Sequence, residues 1–392
     1  MQLRPVRLVL TEDDMPTSAY CGQSKGNLQS CLMRIDQSLS EVWLYGKGGF
    51  AKKLAEFLDR QGVNVCGFFG FEDLSDAVLV SYIQSQISSD CPVVLGVFNH
   101  VDDPKEIVAD LNSVGFSSVI SPAQLLLRFP ECLFSQYFLS TNPPHMQATN
   151  LKKRVFSNLS DDHSRDVLRG MNDYQENGNL ESICRSGTAD EQYLGLTLPP
   201  SFSERWMQGN ISLLDVGAFD GDTLRAFVEA RGVQSGDEYL CIEPDKHSFE
   251  RLLKNVSDMT AQVRCQCVGI GEEDGLVTFS HSGSLSSSTN PLISDDTYDE
   301  NQILMHTLNS VCEDFSPTHI KMDIEGAEGA AIASGIDALQ RLRPKLAISI
   351  YHTPYDMLLI PAKLMSYLPE YSWFIRCYGA HAYDTIIYGI PN

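Results

Sequence analysis

The chain has 392 residues, of which 43% are hydrophobic, and it carries a formal net charge of −22 at pH 7. This length predicts about two domains with sizeable cores. The acidic excess argues against binding to a nucleic-acid backbone or to an anionic membrane surface.

The sequence also gives no sign of export or membrane insertion. No apolar run approaches the roughly 20 residues that a membrane span needs. The start, Met1 to Arg7, is not laid out as a signal peptide. Several of the 11 cysteines lie in apolar runs, as small buried residues do in a reducing compartment. We therefore expect a cytoplasmic protein without nucleic-acid or membrane partners.

The N-terminal part of the chain predicts an extension followed by a small Rossmann-like α/β domain. Residues 1–40 have little pattern and are assigned to the extension. Between residues 41 and 122, strand-like apolar runs alternate with helical patterns, which indicates a parallel sheet. The predicted strands are residues 42–45, 63–69, 92–97 and 118–120, and the predicted helices are residues 51–61 and 104–113.

A glycine-rich turn, Gly46 to Gly49, follows the first of these strands. A dinucleotide-binding turn wants an acid near the end of the second strand, to hold the ribose. That strand ends in Phe69-Gly70, and the first acid after it is Glu72. The segment resembles the N-terminal domains of sugar acyltransferases and related sugar-modifying enzymes, which implies contact with a sugar nucleotide or a glycan. Nicotinamide binding and a docking module with an empty cleft are the alternatives.

Residues 123–210 are predicted to form a mostly helical bridge. A leucine-rich stretch opens it, and a helical pattern recurs at residues 166–174. Proline pairs and Asn-Gly sequences divide the bridge into short pieces. We expect some of these pieces to cover an active site.

Residues 211–392 predict a second α/β domain built on a mostly parallel sheet. The predicted strands are residues 212–216, 238–243, 263–268, 319–323, 345–351, 373–378 and 383–388, with an added β element at 275–280. The predicted helices are residues 222–231, 245–256, 327–342 and 354–368. Two consecutive strands at the end indicate an antiparallel hairpin at the sheet edge.

The first strand of this domain runs into two glycines, Gly217 and Gly221, and then into a helix. Doubly wound sheets hold nucleotide-like ligands at such a turn, because glycine lets the backbone turn and approach the ligand. Glu243 ends the second strand beside this turn. A carboxylate there can accept hydrogen bonds from both ribose hydroxyls of an adenosyl group.

Four ordered motifs resemble those of the FkbM family of S-adenosylmethionine-dependent methyltransferases. They are DVGAFDGDT at residues 215–223, IEP at 242–244, KMDIEGAE at 321–328 and SIYH at 349–352. The resemblance spans residues 211–390. It implies a class I methyltransferase fold, S-adenosyl-L-methionine as methyl donor, and O-methylation of sugars or secondary metabolites. Many members have Asn where this chain has Phe219, so Asp220 would supply that polar contact.

The predicted cofactor-binding residues gather at the carboxyl ends of the strands. They are Asp215, Gly217, Ala218, Asp220, Gly221, Thr223, Glu243, Gly269 and Asp323. Asp215 would hold backbone amides or the amino group of the methionine moiety. Backbone near Gly269 would touch the adenine, although a simple turn fits this stretch equally. Lys321 and Asp323 are two residues apart and share a face of the strand, so we expect them to pair.

His352 and Asp323 are the predicted catalytic residues. His352 ends the fifth strand, and an imidazole with its ordinary pKa near 6.5 suits a general base at neutral pH. A structural histidine is the alternative. Asp323 would orient His352 or act as the base itself. We predict no metal, although the acids here could instead hold a magnesium-like ion that lowers the pKa of the acceptor hydroxyl.

The sequence therefore predicts an O-methyltransferase that acts on a hydroxyl of a sugar, a glycan or a secondary metabolite. The alternative is a protein that binds S-adenosylmethionine or a sugar nucleotide without turnover. Neither the acceptor nor the oligomeric state follows from the pattern, and a homo-oligomer is left open.

Overall fold

A computed structural model describes residues 39–86, 91–116, 118–129, 149–259, 261–278, 302–353 and 355–392. Nearly all of the predicted N-terminal extension lies outside the described residues. So does the polar loop around residues 282–299 that follows the added β element.

The N-terminal domain is a four-stranded parallel sheet with the order β2-β1-β3-β4. Its strands are β1 (Glu41–Tyr45), β2 (Asn64–Phe69), β3 (Val93–Leu95) and β4 (Val119–Ile120), and its helices are α1 (Gly49–Arg60), α2 (Ala77–Gln86) and α3 (Pro104–Ser113). Helix α1 buries the apolar stripe that the sequence showed, including Leu54 and Leu58. Helix α2 was not predicted, because its apolar residues show little helical periodicity.

The described residues of the bridge form four α-helices, and part of the bridge covers the edge of the second sheet. Its helices are α4 (Pro122–Arg128), α5 (Thr149–Asn158), α6 (Asp162–Asn177) and α7 (Pro200–Met207). The amide of Ser160 donates to the Trp373 carbonyl at 2.8 Å. Asp161, which caps α6, pairs with the buried Arg376 guanidinium at 2.6 Å. The edge strand that contains Trp373 and Arg376 is thus shielded from pairing with other chains.

The second domain is a seven-stranded sheet with the order β13-β14-β12-β11-β5-β6-β7. These strands are β5 (Ser212–Val216), β6 (Glu238–Ile242), β7 (Gln262–Gln266), β11 (His319–Met322), β12 (Lys345–Ser349), β13 (Tyr371–Cys377) and β14 (Thr385–Pro391). Five strands are parallel, and β14 pairs antiparallel with both β12 and β13. The predicted mostly parallel α/β fold with an antiparallel edge hairpin is confirmed.

The helices of this domain are α8 (Asp222–Arg231), α9 (Lys246–Val256), α10 (Leu308–Asp314), α11 (Glu328–Ser334), α12 (Ile336–Leu342) and α13 (Asp356–Tyr367). The single helix expected at residues 327–342 is two helices. They break at Gly335, where an added Cβ would lie 2.4 Å from the Leu308 side chain. The close packing of Leu308 requires glycine there.

A small second sheet extends beyond β7. Its strands are β8 (Gly269–Gly271), β9 (Gly275–Thr278) and β10 (Gln302–Thr307), in the order β8-β10-β9. The predicted β element at residues 275–280 corresponds to β9, whereas β8 and β10 were not predicted.

One hydrophobic cluster joins the two domains and the bridge. It contains Leu44 of the first sheet, Val167 and Met171 of the bridge, and Leu214 and Ile348 of the second sheet. The N-terminal domain is therefore packed onto the rest of the chain through a shared core. Among the described residues, none of the helices is long and apolar enough to cross a membrane.

Candidate functional site

The site lies at the carboxyl edge of the seven-stranded sheet, where the strand order reverses. From β5 the chain proceeds outward through β6 and β7, and it then returns to place β11 and β12 on the other side of β5. Open α/β sheets bind their ligands in the crevice at such a switch point. The residues that follow β5, β6, β11 and β12 therefore share one cleft edge.

The turn after β5 is held by its own backbone amides. The amides of Gly217 and Ala218 both donate to the Ile242 carbonyl at 2.9 Å, and the Gly221 amide donates to the Ala218 carbonyl at 2.8 Å. Gly217 has φ +78°, and a Cβ there would lie 1.8 Å from the Asp323 carbonyl oxygen. Only glycine allows the turn to lie this close to the end of β11. These three amides shape the site and are already paired within the chain.

Glu243 connects this turn to the end of β6. The amide of Phe219 donates to Oε2 of Glu243 at 2.8 Å, and the amide of Asp245 donates to Oε1 at 2.9 Å. The side chain is buried, and burial raises the pKa of its carboxyl above the ordinary value. A carboxylate oxygen can accept more than one hydrogen bond. Each oxygen of Glu243 therefore retains acceptor capacity for a ribose hydroxyl.

Asp215 and Lys321 form a buried ion pair beneath the turn. They lie opposite each other in the β5–β11 register, and Nζ of Lys321 is 3.0 Å from Oδ1 of Asp215. Nζ also donates to the Gly217 carbonyl at 2.5 Å. Burial lowers the pKa of the Lys321 ammonium, but the carboxylates of Asp215 and Asp323 outweigh burial and raise it.

This ion pair corrects one prediction. Lys321 pairs with Asp215 across the sheet, and not with Asp323 along its own strand. The Asp215 side chain is completely buried, and its contact with Lys321 supports the turn. Its predicted contact with the cofactor stays a prediction.

The outer side of the turn carries Asp220, Thr223 and Phe219. Asp220 lies 3.3 Å from the Arg225 guanidinium, and Thr223 is buried in the first turn of α8. Phe219 has φ +49° and is about half exposed, with the Arg251 guanidinium 4.6 Å from its ring centroid. A left-handed conformation at a bulky residue is unusual. The amide of Phe219, held by Glu243, accounts for this conformation.

Gly269 lies in the small sheet, opposite Met305 in the β8–β10 register. A Cβ on Gly269 would lie 2.4 Å from the Met305 sulfur. The glycine is therefore explained by packing. The predicted backbone contact with adenine stays a prediction.

Three charged side chains converge where β11 and β12 end. Nε2 of His352 lies 3.1 Å from Oδ1 of Asp323, and Nδ1 lies 2.9 Å from Oε1 of Glu328. Glu328 is fully buried, and its two oxygens accept the amides of Ile324 and Gly326 at 2.8 and 3.0 Å. The two predicted catalytic residues are thus brought together, and Glu328 joins them.

The carboxylates around His352 alter its acid–base behaviour. Burial lowers the pKa of the imidazole, but Asp323 and Glu328 outweigh burial and raise it to about 11. His352 does not have the ordinary pKa that the sequence suggested for a general base, because a carboxylate oxygen lies within 3.1 Å of each of its nitrogens. Burial raises the pKa of the Asp323 carboxyl, but His352 and Lys321 outweigh burial and lower this pKa below its ordinary value. Asp323 therefore remains ionised.

Tyr193, from the bridge, completes the cluster and was missed from the sequence. Its hydroxyl donates to Oδ2 of Asp323 at 2.9 Å and lies 3.0 Å from Oγ of Ser349. The residue is buried and has φ +60°. No sequence motif includes Tyr193. The sequence indicated only that part of the bridge would cover the site. The bridge thus supplies one polar group to the cleft.

The residues fit an adenosyl cofactor. The acid at the end of β6 retains acceptor capacity, and the glycines at the two ends of the turn beside it add no side chain of their own. Polar side chains lie where β11 and β12 end.

Comparison with known proteins agrees with this geometry. The model of the methyltransferase FkbM domain matches residues 215–372. No curated protein matches the chain. The crystal structure of methyltransferase FkbM from Methylobacillus flagellatus KT is similar, with a TM-score of 0.67, 18% identity and 93% of both chains covered. At this identity the match establishes a shared fold, and its coverage includes the N-terminal domain and the bridge.

Two other solved structures are more distant. Precorrin-6y C5,15-methyltransferase from Geobacter metallireducens GS-15 has a TM-score of 0.28 and 12% identity over 53% of this chain and 98% of its own. Fibrillarin from Aeropyrum pernix, in complex with S-adenosyl-L-methionine, has a TM-score of 0.30 and 9% identity over 47% of this chain and 68% of its own. At such low scores, neither bears on this chain's fold.

Proposed function

We propose that this chain, whose residues 215–372 match the model of the methyltransferase FkbM domain, is an S-adenosylmethionine-dependent O-methyltransferase acting on a hydroxyl of a sugar, a glycan or a secondary metabolite. The observation that carries the proposal is the pairing of Glu243 with the Gly217–Gly221 turn on one side of the cleft, and of Asp323 with His352 on the other. One side suits an adenosyl group, and the other suits a hydroxyl.

Glu243 would hold the cofactor through its ribose hydroxyls, with the Gly217 and Gly221 turn beneath. When bound, S-adenosylmethionine supplies an electrophilic methyl group on a sulfonium sulfur. The chain's task is then to align an acceptor oxygen with that methyl group. Alignment of this kind contributes about 7–11 kcal/mol to lowering the barrier.

Asp323 would orient the acceptor by accepting the hydrogen bond of its hydroxyl. It is the partly exposed member of its cluster, with 26% of its side chain accessible, whereas His352 is 3% and Glu328 0% accessible. Asp323 would also take up the proton that the hydroxyl must lose when it is methylated. Tyr193 and His352 would hold the carboxylate in place.

The N-terminal domain would contribute to the acceptor side. Its β3 end approaches the loop between β13 and β14: the Ala380 amide donates to the His100 carbonyl at 2.9 Å, and the Phe98 ring lies 5.3 Å from that of Tyr383. Tyr383 in turn lies 5.9 Å from Tyr351, which precedes His352. These contacts support the proposal that a small-molecule or glycan acceptor binds between the domains.

The proposal is tested with the full chain, methyl-labelled S-adenosylmethionine, and a panel of sugars, glycans and hydroxylated secondary metabolites. We expect label in a hydroxyl acceptor, and about 10²-fold or greater loss of the rate in Asp323→Asn. The matched control is Glu72→Gln, an exposed acid of the N-terminal domain. Cofactor binding without transfer to any acceptor would instead support a non-catalytic binding protein.

A further inference from the structure

A second feature of the cleft is that the buried His352 has unsatisfied ring nitrogens. Neither ring nitrogen has an aligned hydrogen-bond partner, and the same is true of Oδ1 of Asp323. The nearest carboxylate oxygens lie 2.9 Å from Nδ1 and 3.1 Å from Nε2. Only 3% of the side chain is accessible. A buried polar group without an aligned partner carries a free-energy cost. A ligand that engages these atoms would remove that cost.

We propose that Asp323 and His352 are ligands of a divalent cation at the acceptor side of the cleft. Asp323, Glu328 and His352 can each offer a ligand atom, all within 4.8 Å of one another. The 3.1 Å between Nε2 of His352 and Oδ1 of Asp323 is close to the separation of two ligands at right angles on bonds of about 2.1 Å, which is about 3 Å.

Glu328 is positioned to orient His352 as a metal ligand. Metal-ligating histidines usually donate their second ring N–H to a carboxylate, which fixes the tautomer. Oε1 of Glu328 lies 2.9 Å from Nδ1, and the amides of Ile324 and Gly326 anchor this carboxylate. Nε2 would release its proton to the solvent when it binds the ion.

A third ligand is available from Glu325. Its Oε2 lies 3.8 Å from Nε2 of His352, and 74% of its side chain is accessible, so it can adjust to an ion. Two carboxylates and one imidazole leave coordination positions for water and for an acceptor oxygen. Oxygen ligands with one imidazole suit Mn²⁺ or Mg²⁺. In a role that rests on the proposed function, such an ion would bind and polarise the acceptor hydroxyl.

The test is calorimetric titration of Mn²⁺ into the full chain after treatment with a chelator and its removal. We expect one saturable Mn²⁺ per chain, at least tenfold weaker in His352→Gln and in Asp323→Asn, and about 10–100-fold weaker in Glu328→Gln. Glu72→Gln is the matched control with unchanged affinity. Thermal unfolding shows that each variant is folded, and the partly exposed Asp323 provides a variant that perturbs the core least.

Absence of saturable Mn²⁺ uptake by the unaltered chain would overturn the proposal, as would unchanged uptake in both His352→Gln and Asp323→Asn. The same samples separate this result from the proposed function. Methyl transfer in the presence of chelator, without Mn²⁺ uptake, contradicts the metal site alone. Mn²⁺ uptake in a protein that transfers no methyl group contradicts the proposed function and leaves the metal site standing.

Discussion

The chain contains two turns of the same design, each joining a parallel strand to a helix through glycines. In the N-terminal domain the turn is Gly46 to Gly49, and in the second domain it is Gly217 to Gly221. Beside the second turn, the neighbouring strand ends in Glu243, whose carboxylate binds a turn amide. Beside the first turn, the neighbouring strand ends in Phe69-Gly70.

The charges near the two turns also differ in their surroundings. Lys47 of the first turn pairs with Glu72 and Asp73, at 3.0 and 2.5 Å, on the surface. Lys321 pairs with Asp215 in the core. The glycines of both turns allow the backbone conformation, but they do not by themselves make a binding site. The side chains that end the adjoining strands make one turn a candidate cofactor site and leave the other without a comparable set of polar groups.

The largest expected difference between the two turns is in their lysine ion pairs. Lys321→Met should lower the free energy of unfolding by about 3–5 kcal/mol, because it leaves the Asp215 carboxylate buried without a counter-ion. Lys47→Met, the matched control, should leave stability almost unchanged, because water screens the exposed pair. Urea denaturation of both variants measures the difference. Equal losses would contradict the distinction between the two turns.

The glycines should differ next. Gly217→Ala places a Cβ 1.8 Å from the Asp323 carbonyl oxygen at φ +78°, which should cost about 2–4 kcal/mol of unfolding free energy and displace Asp323. Gly49→Ala meets no atom within 4 Å at the start of α1. We expect it to be neutral or stabilising by less than about 1 kcal/mol. A Gly217→Ala protein as stable as Gly49→Ala would show that the close approach is not required.

A smaller effect is expected from Tyr193→Phe. Loss of the hydroxyl removes one hydrogen bond to Asp323, and we expect about 1 kcal/mol of destabilisation together with a reduced kcat. The control is Tyr82→Phe, at a tyrosine that is 57% exposed in the N-terminal domain. If Tyr193→Phe keeps the kcat of the unaltered chain, the bridge has no role in positioning Asp323.

The smallest effect is expected from Phe219→Asn. Asparagine adopts a positive φ more readily than phenylalanine, but the substitution loses the contact between the ring and Arg251, which at an exposed site contributes about 0.5–1 kcal/mol. The two changes oppose each other, so the free energy of unfolding should change by less than about 1 kcal/mol. A larger loss, measured by denaturation, would mean that the Phe219 ring stabilises the turn in another way.

The sequence predicted most of the fold because its signals were local. The strand–turn–helix at residues 212–231 and the final hairpin follow from apolar periodicity and glycine positions. The prediction of one helix through Gly335 was wrong. The helix is interrupted where Gly335 packs against Leu308, and Leu308 is distant in sequence. Strands β8 and β10 were missed for a similar reason: β8 has three residues, and β10 is defined by its pairing with β8 and β9, which lie in an earlier part of the chain.

The candidate site was predicted in part. Glu243, Asp323 and His352 were identified because each follows a strand at the same edge of the sheet. Their acid–base behaviour was not predictable, since it depends on Glu328 and on burial. The partner of Lys321 depends on strand register, and Tyr193 comes from a bridge segment without a motif. Sequence spacing shows which residues share an edge, but it does not show which groups meet across it.

The central claim is that the turn beside Glu243, and not the turn at Gly46, binds S-adenosylmethionine. Isothermal titration calorimetry of the cofactor into the unaltered chain, Glu243→Gln and Glu72→Gln tests it directly. Weaker hydrogen bonds to the neutral amide should reduce the affinity of Glu243→Gln by about tenfold to a hundredfold, while Glu72→Gln binds normally. Unchanged affinity in Glu243→Gln, or a loss confined to Glu72→Gln, would contradict the claim.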